Sequence, residues 1–476
     1  MTKMLLLSAA LFFSIVQVIA QSPAERQNRT VLNRIAYFFN TQQTDSIYAL
    51  AADGFKNQVS SSQFELALSS FYPFGKIKNI TPATFSNHIA GYNLTFDRGH
   101  SSLHLRVDST YKFHYFTIKN ELIPTETREV IQSNVKPINV IDVKIDSLAL
   151  SFLKRNNTPG MAIGLIHNNR INEFYYGNTI KGNDKSIPTG NTLFEIGSLT
   201  KIFTSILLAD LAQKDSIDLE DSIIKYLPDS LAKNIALHGI TLKTLANHTS
   251  GLPRLPDNIE KSLNFHTANP YKTYSLKELY AYLKDVKPLY QPGENYEYSN
   301  LGYAVLGDII ARKTGKSIPT LIKEVITTPL GMLNTTDKID PKKQQLSKAY
   351  DLQGHEVPHW EWQSFFPAGG LKSSITDMLR FAQYQFKMPE TDLENAMATT
   401  RLFTHYLPPT TDIGLAWHMT MVNDVIQYWH NGATGGHSAF IGLIPDKRSA
   451  IVILSNSAHS LDEFAMEVLT SINQVQ

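Results

Sequence analysis

Between Ser198 and Leu211 the chain carries Ile202, Phe203, Ile206, Leu207, Leu208 and Leu211. On a helix these residues cover most of the circumference, not one stripe. Such a helix has no polar face to offer water and is enclosed in a domain core. The chain must therefore supply layers of structure around it, and 476 residues leave room for two to three domains. Hydrophobic residues at 42% and charged residues at 18% are the proportions of a globular protein rather than a disordered one.

The two ends of the same region read as strands. Met161 to Ile166 and Ile171 to Tyr176 flank a turn at His167-Asn168-Asn169-Arg170 and form a hairpin, preceded by a helix from about Ile141 to Lys154. Strands follow near Ala439 to Ile444 and Ala450 to Leu454. A last helix carries Leu461, Phe464, Ala465, Val468, Leu469 and Ile472 at helical spacing. Strands at both ends with helices between them predict an α+β fold: one antiparallel sheet flanked by helices, with an all-helical insertion. The domain runs over 141–476.

Upstream lies a smaller α+β unit, 21–123. Val31, Leu32, Ile35, Phe38 and Phe39 mark a helical face. Ser62-Gln63-Phe64-Glu65 fits a capping box. After Gly75 the period changes to two, with Leu103, Leu105 and Val107 alternating and turns at Asp97 to His100 and Asp108 to Thr110. In layout, and over Phe55 to Gly75, this unit resembles the nuclear-transport-factor-2-like (cystatin-like) accessory domains of secreted bacterial hydrolases. No acid/base pair or metal cluster stands out in it, so a binding or dimerisation module is expected, with an inert spacer as the alternative. Residues 124–140 have no periodicity and read as a linker. At the start, Lys3, the apolar run Met4 to Val16 and the small residue Ala20 read as a secretory signal peptide of 1–20. An exported protein, periplasmic or secreted, is expected, with no membrane span after cleavage.

Composition narrows the chemistry. There is no cysteine, which removes thiol nucleophiles, disulfides and Cys-ligated metals. Lys+Arg 44 against Asp+Glu 43 gives net charge +1, which argues against nucleic acid as a partner. Serine, histidine, lysine, tyrosine and carboxylates remain.

Three short motifs assemble these. In Ser198-Leu199-Thr200-Lys201 the serine and lysine share a helical face, one turn apart, at the start of the buried helix. The N–H groups and dipole there favour a developing oxyanion. A desolvated lysine has a lowered pKa and can take the serine proton. Tyr298-Ser299-Asn300 precedes a helix bearing Leu301, Val305, Leu306, Ile309 and Ile310 and ending at Gly315. The Tyr298 phenol can act as base or acid, and Asn300 can contact a substrate carbonyl or the lysine. His430-Asn431-Gly432-Ala433 sits beside a strand. Gly432 allows close approach to the backbone, the Ala433 N–H is a second oxyanion donor beside that of Ser198, and His430 lines the same wall.

In this order the three motifs resemble the serine β-lactamase and penicillin-binding protein family, most closely its class C branch with the related esterases and D-amino-acid peptidases. Thr241 to Pro253, Gln291 to Gly307, Pro329 to Met332 and Pro367 to Phe381 also fit it. The resemblance implies Ser198 as acylated nucleophile and Lys201 with Tyr298 as the proton-transfer pair. It further implies Asn300 as a substrate contact and an oxyanion hole at Ser198 and Ala433, with no metal or organic cofactor. The substrate would be a small molecule or short peptide, cell-wall derived for instance. One departure stands out. Dedicated β-lactamases of this branch carry lysine where His430 stands, and a neutral imidazole is a weaker anion clamp. An ester or a peptide is therefore expected over an antibiotic.

Other chemistries are weaker. His355-Glu356-Val357-Pro358-His359 matches the His-Glu-x-x-His zinc pattern, which works only on a helix, and Pro358 breaks one. No Gly-x-Ser-x-Gly elbow marks an α/β-hydrolase. A penicillin-binding or sensing protein that acylates without turnover is the non-enzymatic rival.

Overall fold

The computed structural model describes residues 23–86, 88–97, 99–121, 131–168, 170–408 and 410–474. The expected signal peptide lies outside them. Among the described residues no helix is long and apolar enough to cross a membrane. The chain forms two compact units that divide between Ile123 and Pro124.

In the first unit, α1 (Pro23–Asn40) and α2 (Ser61–Ser69) accompany an antiparallel meander, β1 (Ile77–Ser86), β2 (Ile89–Phe96), β3 (Gly99–Val107) and β4 (Phe113–Glu121), in sequential order. Val31, Leu32, Ile35 and Phe39 are buried with the alternating Leu103, Leu105 and Val107, as the two periodicities require. The capping box falls two residues earlier than expected. Ser60 accepts from the Gln63 N–H (3.2 Å), and Gln63 accepts from the Ser60 N–H (3.1 Å). Serines at 60, 61 and 62 make the local signal degenerate, and burial of Phe64 and Leu68 against this core goes with the Ser60 frame.

The second unit is built on α3 (Val140–Asn156) and an eight-stranded antiparallel sheet. Its strands are β5 (Gly160–His167), β6 (Arg170–Gly177), β9 (His405–Leu407), β10 (Thr411–Ile413), β11 (His418–Val422), β12 (Val425–Ala433), β13 (Ser438–Ile444) and β14 (Ser449–Ser455). Their order is β9-β10-β11-β12-β13-β14-β5-β6, so the last strand of the chain pairs with the first of this unit, Val452 opposite Gly164. A two-stranded piece, β7 (Leu193–Glu195) with β8 (Lys372–Ser374), lies outside the main sheet. One sheet face packs α3 and the terminal α7 (Asp462–Gln474). The larger core contains α4 (Thr200–Gln213), α5 (Asn300–Thr314) and α6 (Ile375–Tyr384). As expected for a helix apolar all round, α4 is buried from Thr200 to Asp210.

The span expected to be a linker is only partly a connector. Ser133 bridges Tyr176, the Gly177 N–H donates to the Gln132 carbonyl (2.8 Å), and Ile131 and Val135 pack beneath the sheet. The free edge of β6 supplies unpaired backbone groups, and this aperiodic segment satisfies some of them. The His-Glu-x-x-His stretch is not helical, since Glu356–Val357 pairs with Ala349–Tyr350 as a short hairpin.

Candidate active site

Ser198 lies in a 3₁₀ turn, Gly197–Leu199, that runs into α4. Gly197 holds φ +49, and a Cβ there would stand 2.7 Å from the Ala433 nitrogen. A Cβ on Gly432 would stand 2.1 Å from the Ile196 carbonyl oxygen and 3.0 Å from the Ser198 nitrogen. The two glycines thus let β12 lie directly against the nucleophile turn and bring the Ser198 and Ala433 backbones together.

Lys201 is wholly buried. Its Nζ contacts Ser198 Oγ (3.1 Å), Asn300 Oδ1 (2.8 Å) and the Ala368 carbonyl (2.7 Å). The two carbonyl oxygens can only accept, so a neutral amine gives them its two protons and turns its lone pair to the serine hydroxyl. It also stands 4.8 Å from the Tyr298 ring centroid. Burial, reinforced by the nearby Arg254 charge, pulls its pKa well below the ordinary lysine value. The Thr200 and Thr204 hydroxyls tie α4 to Gly197 (2.7 Å) and Pro367 (2.8 Å), so the helix start is fixed by polar bonds inside an apolar core.

Burial pushes the Tyr298 phenol up to about 12, against the smaller opposing effects of Arg254 and a hydrogen bond with Ser198. The phenol therefore stays protonated at neutral pH. His248 packs on its ring at 4.3 Å, and His248 Nδ1 accepts the Ser299 N–H (3.1 Å). Asn300 caps the arrangement: while Oδ1 holds the lysine, Nδ2 donates to the Tyr271 hydroxyl (3.2 Å).

A cavity of about 440 Å³ opens over Ser198, with Tyr298, Asn300, Gly432 and Ala433 in its lining and Trp360 and Trp362 on its walls. The sequence placed His430 there too, but its side chain is fully buried. Nδ1 lies 2.6 Å from the Asn431 carbonyl, and the ring packs near His418 (5.5 Å) and Tyr298 (6.4 Å). Burial, with His418 and Lys201 adding to it, drives its pKa well below the usual imidazole value. A neutral, enclosed ring is no anion clamp. The charged side chain that does line the cavity is Arg254, exposed, with Cζ 4.9 Å from the Tyr298 centroid. Sequence reasoning missed Arg254, His248 and Tyr271. The first two lie in or next to the stretch Thr241 to Pro253, but nothing in local spacing says that this loop turns back onto Tyr298.

A serine on a helix start, a buried amine on its oxygen and two backbone segments converging beside it form the apparatus of a serine acyl-transfer enzyme. The comparisons agree. Residues 145–470 match the family model Beta-lactamase. Among relatives, "D-alanyl-D-alanine-carboxypeptidase/endopeptidase AmpH" of Escherichia coli (strain K12) is 29% identical over 66% of this chain and 83% of its own. A "Beta-lactamase" of Pseudomonas fluorescens is 25% identical over 70% and 94%. "Protein flp" of Staphylococcus aureus (strain MW2) is 27% identical over 66% of this chain, and the match spans only 62% of flp. Of solved structures, D-alanine carboxypeptidase AmpC from Burkholderia cenocepacia superposes with a TM-score of 0.60 at 25% identity, covering 70% of this chain and 99% of that one. The chain belongs to the beta-lactamase family and is a serine hydrolase of that family.

Proposed function

We propose that this is an exported hydrolase that cleaves an ester, amide or D-amino-acid peptide bond through an acyl-Ser198 intermediate. The observation that carries the proposal is the contact of Lys201 Nζ with Ser198 Oγ (3.1 Å) in surroundings that favour the neutral amine. Lys201 takes the serine proton as Oγ bonds to the substrate carbonyl carbon. The oxyanion sits between the Ser198 and Ala433 N–H groups. Tyr298, a phenol with a pKa of about 12, gives its proton to the leaving group as that bond breaks, and recovers one from Lys201. Water then enters by the reverse relay and releases the acid. The division of labour is sharper than a shared pair: the lysine is the base and the tyrosine the acid. Asn300, with both ends of its amide engaged, holds Lys201 in place.

Arg254 supports a substrate that is anionic near the scissile bond, as a peptide ending in a free carboxylate is. Relatives bearing the names carboxypeptidase and beta-lactamase fit that charge. Between them, the buried neutral His430 favours the peptide or an ester. Export rests on the apolar run Met4 to Val16.

The test is a panel of p-nitrophenyl esters, D-amino-acid anilides, a D-Ala-D-Ala peptide and a chromogenic cephalosporin, run on the protein and on Ser198→Ala. Turnover of an ester or D-peptide that Ser198→Ala abolishes supports the reading. Cephalosporin turnover exceeding all the others replaces it with a β-lactamase. A stable acyl adduct by intact mass, without product, replaces it with a non-turnover penicillin-binding protein.

A further inference from the structure

Behind the Ser198 turn sits a second polar cluster that the hydrolase chemistry does not use. Glu195, at the end of β7, is 2% exposed, His437 is fully buried, and His359 is about one third exposed at its side chain. Glu195 Oε1 accepts the Trp360 N–H (2.9 Å) and Oε2 the Thr434 hydroxyl (2.6 Å). Each carboxylate oxygen also faces a histidine: His359 Nδ1 stands 3.5 Å from Oε1 and His437 Nδ1 3.4 Å from Oε2. Neither Nδ1 makes a well-formed hydrogen bond, although both are buried atoms.

Those distances are informative. They exceed the 2.7–3.2 Å or so of an N–H···O bond. Each is close to the roughly 3.4 Å between two ligand atoms that stand about 2.1 Å from a shared ion, with the two histidines facing the two oxygens of one carboxylate. One ligand atom from each of the three residues lies within 4.8 Å of the other two. The His437 tautomer agrees. The Ser347 hydroxyl donates to the Leu193 carbonyl (3.1 Å), so its oxygen accepts His437 Nε2–H (2.9 Å). On a neutral ring Nδ1 is then a lone pair aimed at a carboxylate, which calls for a proton or a metal cation between them. The outward hydrogen bond from a ring's other nitrogen is the usual support of a metal-bound histidine. Lys372, the cross-strand partner of Glu195, sends its Nζ to the Asp337 carbonyl (3.3 Å) instead.

We propose that Glu195, His359 and His437 bind one divalent transition-metal ion, Zn²⁺ by the chemistry of a two-imidazole, one-carboxylate set. The ion is a staple. It joins the strand that leads into Ser198, the loop that carries Trp360 and the turn between Ala433 and β13, which are three walls of the cleft. In a chain without cysteine it supplies the cross-link that a disulfide cannot. His359 is the last residue of the His-Glu-x-x-His stretch. It reaches the site from a loop, with partners that are distant in sequence.

The proposal is independent of the acyl-enzyme reading, and its test reads metal, not turnover. Full-length protein purified without chelator is analysed for metal content, then stripped and titrated with Zn²⁺ alone and with Co²⁺ alone. The expected result is about one Zn²⁺ per chain, a tetrahedral Co²⁺ visible spectrum, and a melting temperature raised by at least about 2 °C over the stripped form. Ser198→Ala should retain all three, while His359→Ala and His437→Gln lose them. If His437→Gln does not fold, His359→Ala, altered at a loop, decides alone. Less than about 0.1 equivalent in both the isolated and the Zn²⁺-titrated protein overturns the proposal, leaving protons in place of the ion. Undiminished binding by His359→Ala overturns it equally.

Discussion

The two sides of the eight-stranded sheet are both buried, yet they are made differently. The side covered by α3 and α7 is packed from Ile145, Phe152, Phe464, Val468, Leu469 and their neighbours, and its core is apolar. The side that holds α4 and α5 is larger and is interrupted by Lys201, Thr204, His248 and Asn300, all buried polar groups with named partners or packed rings. A buried amine is costly unless its polar directions are all matched, and Lys201 meets that condition only through Ser198, Asn300 and Ala368. One side is apolar throughout, and the other, though the larger core, accepts a local cost to hold reactive groups away from bulk water.

That division can be broken experimentally. Its largest expected effect is Ser198→Ala, which should lower kcat by roughly 10⁶ if Ser198 is the nucleophile. Melting temperature should hardly change, and activity within tenfold of the wild type would end the assignment. Next is Tyr298→Phe, with a loss of roughly 10²–10⁴ in kcat from removing the proton donor. Steady-state kinetics with esters of different leaving-group pKa should show the smallest loss for the best leaving groups, and a uniform loss would point to packing instead. On the opposite side, Phe464→Ala should cost about 3–5 kcal/mol in denaturant unfolding while kcat per folded molecule stays unchanged. A matching fall in kcat would mean that the two sides are coupled.

The pH dependence separates them again. The folded-state pKa of Lys201 is depressed, so between the folded and unfolded pKa values the unfolded chain binds more protons, and stability rises with pH across that window until the unfolded lysine itself titrates near about 10.4. This group contributes a slope of at most about 1.4 kcal/mol per pH unit. Lys201→Met should flatten that part of the profile, and an unchanged slope would show that Lys201 is charged in the fold. The rate should rise with pH as the lysine loses its proton. It should show no alkaline loss from Tyr298 until near its pKa of about 12. The smallest effect concerns the mouth of the cavity. Arg254→Gln should raise KM about tenfold for a peptide with a free carboxylate and leave neutral esters within twofold, in keeping with the worth of an ion pair to a charged group. Equal changes for both would remove Arg254 from substrate recognition.

Some of this was legible in residue order. The all-round apolar pattern of α4 required burial, and the terminal helix pattern required an apolar partner. Both hold to the residue: Phe464, Val468 and Leu469 face inward. Strands β9 to β12 were not placed. They carry exposed residues such as Tyr406, Met421 and Ile426, and fit no strict alternation. Their order emerges only when β12 is laid against β13, with His430 opposite Ile441.

The sequence alone determined the chemistry available, because a chain without cysteine that sets a serine and a lysine one turn apart on a buried helix has few other routes to catalysis. It also determined that strands from both ends must share a sheet, since each needed a partner for its backbone and a cover for its apolar face. Only the tertiary structure decided which way the third motif turns, that His430 faces the interior while Arg254 faces the cleft, and that Glu195, His359 and His437 meet. Local periodicity fixes which face of its own element a side chain occupies. What stands opposite that face is set by the packing of segments far apart in the chain, and spacing carries no record of it.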